Sequence, residues 1–176
     1  MSIAQQYLGM ARRAVATLAL LGLAGCALQD EAATRASLAD WVQLGETEYF
    51  FSRRNCAAGV FEIKATRISS RLAKARSVRA GLRHLDNGRP VAFEVAGLSP
   101  DTVSLQVVNS DEARGKDIVR AGIVGKDCML DPVSDVYLKA LVDQSSVLIY
   151  DPVTPFLAVV DRSNRRVFYA RSGNVW

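Results

Sequence analysis

The amino-acid sequence predicts an α+β domain, in which an antiparallel sheet of about six strands carries helices on one face and ends in a C-terminal three-strand meander. Three observations lead there. Apolar and polar residues alternate with period two at 47–51 and again at 61–66, as in half-buried strands. Helix-start signatures precede apolar residues at helical spacing in the middle of the chain, at Ser99-Pro100-Asp101, Ser110-Asp111-Glu112 and Asp131-Pro132. Beyond Asp143, three short apolar runs at 147–150, 156–160 and 167–170 are separated by turn-forming residues.

Taken in order, residues 27–36 are polar and alanine-rich, with some helical character, and 37–42 place Leu38, Trp41 and Val42 in a short helical turn that Gly45 breaks. Thr47, Tyr49 and Phe51 then alternate with Glu46, Glu48 and Phe50, and Phe61, Ile63 and Ala65 alternate with Glu62, Lys64 and Thr66. Leu72, Ala75, Val78, Leu82 and Leu85 predict an amphipathic helix over 69–85, capped by Ser69 or Ser70, with its apolar stripe on the sheet. Asn87 or Gly88 closes its last turn in the left-handed conformation. Pro90 opens a strand over 91–95, where a missing amide donor is tolerated. At 99–107 the start signature points to a helix, although Val103, Leu105 and Val107 alternate as a strand would; the helix is the reading adopted. A further helix follows Asp111 and carries Ile118, Val119 and Ile123. Asp131 caps the clearest helix, where Pro132 fits the first position and Val133, Val136, Tyr137, Ala140 and Leu141 mark one face. Residues 151–155 and 161–165 turn between the meander strands.

Upstream, Arg12 and Arg13 precede an apolar run at 14–23. It is shorter than the roughly 20 apolar residues that span a bilayer, and suits the apolar region of a secretory signal. The run ends in Leu23-Ala24-Gly25-Cys26, which resembles the lipobox of bacterial lipoprotein precursors. The resemblance covers the signal and Cys26 alone. It implies removal of residues 1–25 as a signal peptide, acylation of the Cys26 thiol before cleavage on its amino side, a lipidated tether over 26–36 and one globular domain over 37–176. With Ala27 rather than Asp behind the cysteine, the inner-membrane retention signal is absent. The implied location is the outer membrane, facing the periplasm, with the membrane itself as a partner through the anchor. The alternative is a secreted protein cleaved nearby, with Cys26 an idle thiol. A signal beginning at Met10 is complete in itself, so Met10 is an expected alternative start.

The formal net charge is +4, and removing Arg12 and Arg13 leaves 20 basic against 18 acidic residues. The basic balance is therefore no sign of nucleic acid, and no nucleic-acid partner is expected. The remaining chain, about 150 residues, is long enough for one core. With Cys26 acylated, Cys56 and Cys128 are the thiols left in a compartment where disulfides persist, so they are expected to pair. There is no Cys-x-x-Cys to support a redox role.

Catalytic motifs are missing. The sequence contains no Gly-x-Ser-x-Gly, no phosphate-cradling Gly-x-x-x-x-Gly-Lys, no His-Glu-x-x-His and no Gly-x-Gly-x-x-Gly. His84 is the single histidine, and it falls near a helix end, where a solvated role suits it. Asp127, Asp131 and Asp135 lack the Asp-x-Asp-x-Asp-Gly pattern of a calcium loop, so neither a metal nor a cofactor is expected.

Charge segregation is the strongest remaining feature. Between Arg53 and Arg89 stand ten basic residues against Glu62 and Asp86 alone. On a helix over 69–85, Arg76, Arg79 and Arg83 line up beside the apolar stripe and would suit phosphate or carboxylate groups. Three function classes follow: a non-enzymatic interaction or assembly module, favoured by the missing catalytic groups, with an envelope protein as partner; a binder of anionic lipid or another acidic ligand through those arginines; and a hydrolase with a site assembled from scattered carboxylates or serines.

Overall fold

The computed structural model describes residues 28–173. Its strands are β1 (Leu44–Arg53), β2 (Cys56–Ile63), β3 (Ala73–Ala75), β4 (Val91–Phe93), β5 (Val147–Asp151), β6 (Phe156–Asp161) and β7 (Arg166–Ser172). The helices are α1 (Glu31–Ala39), α2 (Val78–Asp86), α3 (Pro100–Ser110), α4 (Glu112–Lys126) and α5 (Asp131–Val142). The strands form one seven-stranded sheet in the order β1-β2-β7-β6-β5-β4-β3. Every neighbouring pair is antiparallel except β3 and β4, which α2 connects as a parallel pair. The α+β class and the β5-β6-β7 meander are as the sequence predicts.

Alternation along the strands sorts side chains to two cores. Leu148, Tyr150, Leu157, Val159, Phe168 and Ala170 face one side, where they meet Val78 and Leu85 of α2, Val103 and Val107 of α3, Ile118 and Ala121 of α4, and Tyr137 and Ala140 of α5. Val147, Ile149, Phe156, Ala158, Val160, Val167 and Tyr169 face the other side. There they are sealed by Leu38 of α1, Val42, Ile68 and Leu72, with Trp41 stacked on Phe156 at 5.5 Å between ring centroids. Four helices thus share one face and α1 lies on the opposite one. Covering both faces explains why β2, β5 and β6 are buried almost throughout rather than half-buried.

Sequence expectations give way in several places. Residues 69–77 are not helical: they pass into the edge strand β3, and α2 begins at Val78 with Ser77 as its cap, accepting the Ala80 amide. The reason is topological, since Leu72 is buried on the α1 side of the sheet and Val78 and Leu85 on the other. One straight helix cannot place its stripe on both sides of a sheet. The expected tether at 26–36 is folded from Leu28 onward: Asp30 caps α1 by accepting the Ala33 amide at 2.7 Å, Thr34 is fully buried, and Tyr169 Oη donates to Gln29 Oε1 at 2.8 Å. The expected signal peptide at 1–25 and the expected lipidation site Cys26 lie outside the described residues.

Helix ends follow local chemistry closely. Ser99 caps α3 and Asp111 caps α4, accepting the Thr102 and Arg114 amides. Gly88 adopts φ 64° after α2, a left-handed stop that its lack of Cβ makes inexpensive. At α5 the cap is Leu130, without a side-chain bond, so Asp131 opens the helix rather than capping it. Gly125 brings α4 onto β7: a Cβ there would lie 2.6 Å from Ala170 Cβ and 2.7 Å from the Arg171 amide nitrogen. Immediately beyond α4, Cys128 reaches Cys56 on β2 and forms the expected disulfide, with Cα atoms 5.9 Å apart. Tyr49 Oη donates to the Cys128 carbonyl at 2.7 Å beside it. The staple joins helix layer to sheet, and on the chain-entropy model a loop of this length is worth about 4 kcal/mol.

Candidate functional site

The arginines that the sequence groups on one helix are separated by the fold. Arg76 precedes the α2 cap, while Arg79 and Arg83 lie on α2 one turn apart. All three are exposed. His84 sits half-buried in the last turn of α2, its carbonyl accepting the Asn87 and Arg89 amides as part of the helix stop. Asp127, Asp131 and Asp135 are exposed, and among the described residues no group of three His, Cys, Asp or Glu is placed to hold a metal ion.

Basic side chains gather elsewhere. Arg67, Arg71 and Lys74 line an open trough of about 750 Å³ beside Trp41, on the α1 side of the sheet. Two of them are engaged there: Arg71 pairs with Asp40 at 2.7 Å, with both side chains exposed, and Lys74 Nζ donates to the Ile68 carbonyl at 2.7 Å. Such an exposed pair contributes little to stability. The trough is wide and polar.

The apolar site lies in the helix layer. α3 and α4 pack on each other beside α5, and a groove of about 230 Å³ runs between them, lined by Ile118, Val119, Gly122, Ile123, Tyr137 and Leu138, with Leu157 of β6 beneath. Asp101, Ser104 and Lys126 supply its few polar atoms. Ile123 and Leu138 line this groove yet are exposed, and Leu105 and Val142 lie one turn along the flanking helices; the four are between 46% and 65% exposed. Apolar side chains at this exposure on three adjoining helices form a surface that water covers poorly.

Beneath the groove, the Tyr137 hydroxyl is buried without a hydrogen-bond partner among the described residues, and burial pushes its pKa well above the ordinary tyrosine value. A Cβ on Gly122 would stand 3.0 Å from that oxygen. Glycine is therefore what lets α4 and α5 close over the ring, which packs against Phe168 at 5.7 Å.

Sequence reasoning named Leu105 and Ile123 among the apolar residues of their segments without separating those a core takes up from those left over, and so missed this surface. The usable signal was surplus: Leu105, Ile123, Leu138 and Val142 are apolar at positions the stripe does not require. Comparisons with protein-family models, curated proteins and solved structures return no match to this chain.

Proposed function

We propose that this protein is a lipid-anchored cell-envelope protein that works by contact rather than catalysis, docking an apolar segment of another envelope protein on the α3–α4–α5 surface. The observation that carries the docking reading is the exposed apolar group of Ile123, Leu138, Leu105 and Val142 around a groove that is itself apolar. Helix-on-groove contacts of this kind use a few anchoring side chains at helical spacing, and Asp101 and Lys126 at the rim offer one charge of each sign to set the register of the incoming segment. The lipid anchor rests on Leu23-Ala24-Gly25-Cys26 and on the Cys56–Cys128 disulfide, which belongs to an oxidising, extracytoplasmic compartment. Among the described residues no helix is long and apolar enough to cross a membrane. Ala27 behind that cysteine favours the outer membrane, facing the periplasm.

A photo-crosslinkable residue at Leu138, compared in living cells with one at exposed Gln43 on the opposite face, tests the docking reading. The expected result is one defined adduct from position 138, absent from position 43, that disappears when Ile123→Asp is added. No adduct at 138, or the same adducts from both positions, contradicts it.

A further inference from the structure

We infer that the protein lies with one particular end of its sheet against the bilayer: the end made by the β1–β2 turn and the β5–β6 turn, with anionic phospholipid as the surface it meets. This deepens the proposed function and rests on its reading that Cys26 is acylated. The described chain begins at Leu28, whose amide donates to the Arg53 carbonyl at 3.2 Å, and the Gln29 amide donates to Ser52 Oγ at 3.2 Å. Cys26 stands two residues before Leu28, and two extended residues span at most about 7 Å. An acyl group at Cys26 therefore leaves no free tether, because residues 28–36 are already committed to the fold. The end of β1 must stay within several ångströms of the membrane surface.

What the fold places at that end suits the position. Arg53 ends β1, Arg54 opens the β1–β2 turn, and both are exposed. Arg53 spends its guanidinium on Cys56 Sγ at 3.3 Å and on the Asp127 carbonyl at 3.4 Å, while Arg54 has no side-chain partner among the described residues. The strand register carries the same end across the sheet: Ser52 pairs with Ala57, Ala57 with Arg171, Arg171 with Phe156, and Phe156 with Asp151. The β5–β6 turn is thus level with the β1–β2 turn, three strand spacings or roughly 15 Å away. At its tip Val153, between Pro152 and Pro155, is 73% exposed, the most exposed large apolar side chain among the described residues. Asp151 holds this turn by accepting the Val153 amide at 2.8 Å, so the side chain is presented on fixed backbone. Arg89, exposed just before β4, lies at the same end, since Val91 pairs with Tyr150. Cationic turns flanking a fixed apolar tip, level with the point where the anchored chain leaves the domain, form an amphipathic rim for a headgroup layer. Four acidic groups also stand at this end: Asp151 is spent on its turn, Asp86 lies 4.0 Å from Arg114, Asp117 shares the hollow beside Pro152 and Pro155 with Arg114 and Arg120, and Asp127 is exposed, so that each free carboxylate here has arginines beside it and the turns themselves stay cationic.

The test uses the mature protein from its own membranes, reconstituted into vesicles containing phosphatidylglycerol with brominated acyl chains, which quench nearby tryptophan. Val153→Trp is compared with Gln144→Trp, exposed at the opposite end of β5, after subtracting the parent signal. The expected result is that Val153→Trp loses most of its added emission and Gln144→Trp does not. Adding Arg53→Gln and Arg54→Gln to Val153→Trp should weaken that bias by about fivefold per charge removed. Equal quenching at the two positions, or stronger quenching at 144, overturns the proposal. Intact mass of the same preparation separates the two readings. If Cys26 carries no acyl group the anchor reading fails, and the protein is then added to preformed vesicles, where quenching at 153 alone still supports the orientation and its absence sinks it.

Discussion

The two faces of the sheet are covered by different means. On one, α1 and residues 64–72 close over Phe61, Phe156 and Tyr169, and this cover leaves none of its large apolar side chains exposed. On the other, four helices bury a larger core yet leave Leu105, Ile123, Leu138 and Val142 facing water, around a groove with an unpartnered hydroxyl beneath it. The difference teaches that the outer apolar residues of the helix layer are surplus to folding. A face that needed only to be stable would resemble the α1 side.

That contrast can be broken most forcefully at the staple. Replacing Cys56 and Cys128 together by Ala should lower unfolding free energy by about 4 kcal/mol, read from urea denaturation, because the bond holds the helix layer to β2. An unchanged midpoint would mean that packing alone joins the layers. The next test compares two leucines. Leu38→Ala, fully buried on the α1 side, should cost about 3 kcal/mol. Leu138→Ala, on the exposed groove wall, should change stability by less than about 0.5 kcal/mol while weakening crosslinking to a partner. Similar losses for both would erase the distinction between cover and surplus.

Alkaline pH bears on both faces, because each buries tyrosine. Burial, chiefly, pushes Tyr169 on the α1 side and Tyr150 on the helix side up to about 12 from the ordinary 10.0, and the nearby Asp117 charge adds to the effect at Tyr150. The folded state favours the neutral phenol. The resulting stability is therefore complete below the unfolded value and is lost as pH rises from 10.0 through about 12. Urea midpoints should hold up to pH 10.0 and fall beyond it. The smallest expected effect is a gain. Tyr137→Phe removes a buried hydroxyl without a partner and should stabilise the fold by about 1 kcal/mol in the same assay. A loss instead would show that the hydroxyl is satisfied in solution.

Much of the fold was legible because local chemistry dictates it. Ser99 and Asp111 cap the helices they announce, Gly88 stops α2 as its position in Asp-Asn-Gly implies, and the apolar runs after Asp143 form the meander. The cysteine pairing followed from elimination once Cys26 was set aside. What could not be read depended on which side of the sheet a residue reaches. Leu72 and Leu85 keep helical spacing but serve opposite faces, so the spacing was real and the helix over 69–77 was not. Thr34 looked like tether because its burial depends on β-strands far along the chain. The arginine row dissolved with the helix that defined it, while the groove arises from how three helices meet, which no single stripe encodes.

Intact mass of the protein purified from its own membranes, before and after reduction and with a Cys26→Ser control, tests most directly the claim that an anchored, stapled domain acts at the envelope. The account predicts a species beginning at Cys26 that carries added acyl mass, lost in the control, and gains two hydrogens on reduction as the Cys56–Cys128 bond opens. An unacylated species would remove the anchor, and with it the envelope location and the partner expected there. Free thiols at Cys56 and Cys128 would contradict the oxidising compartment itself.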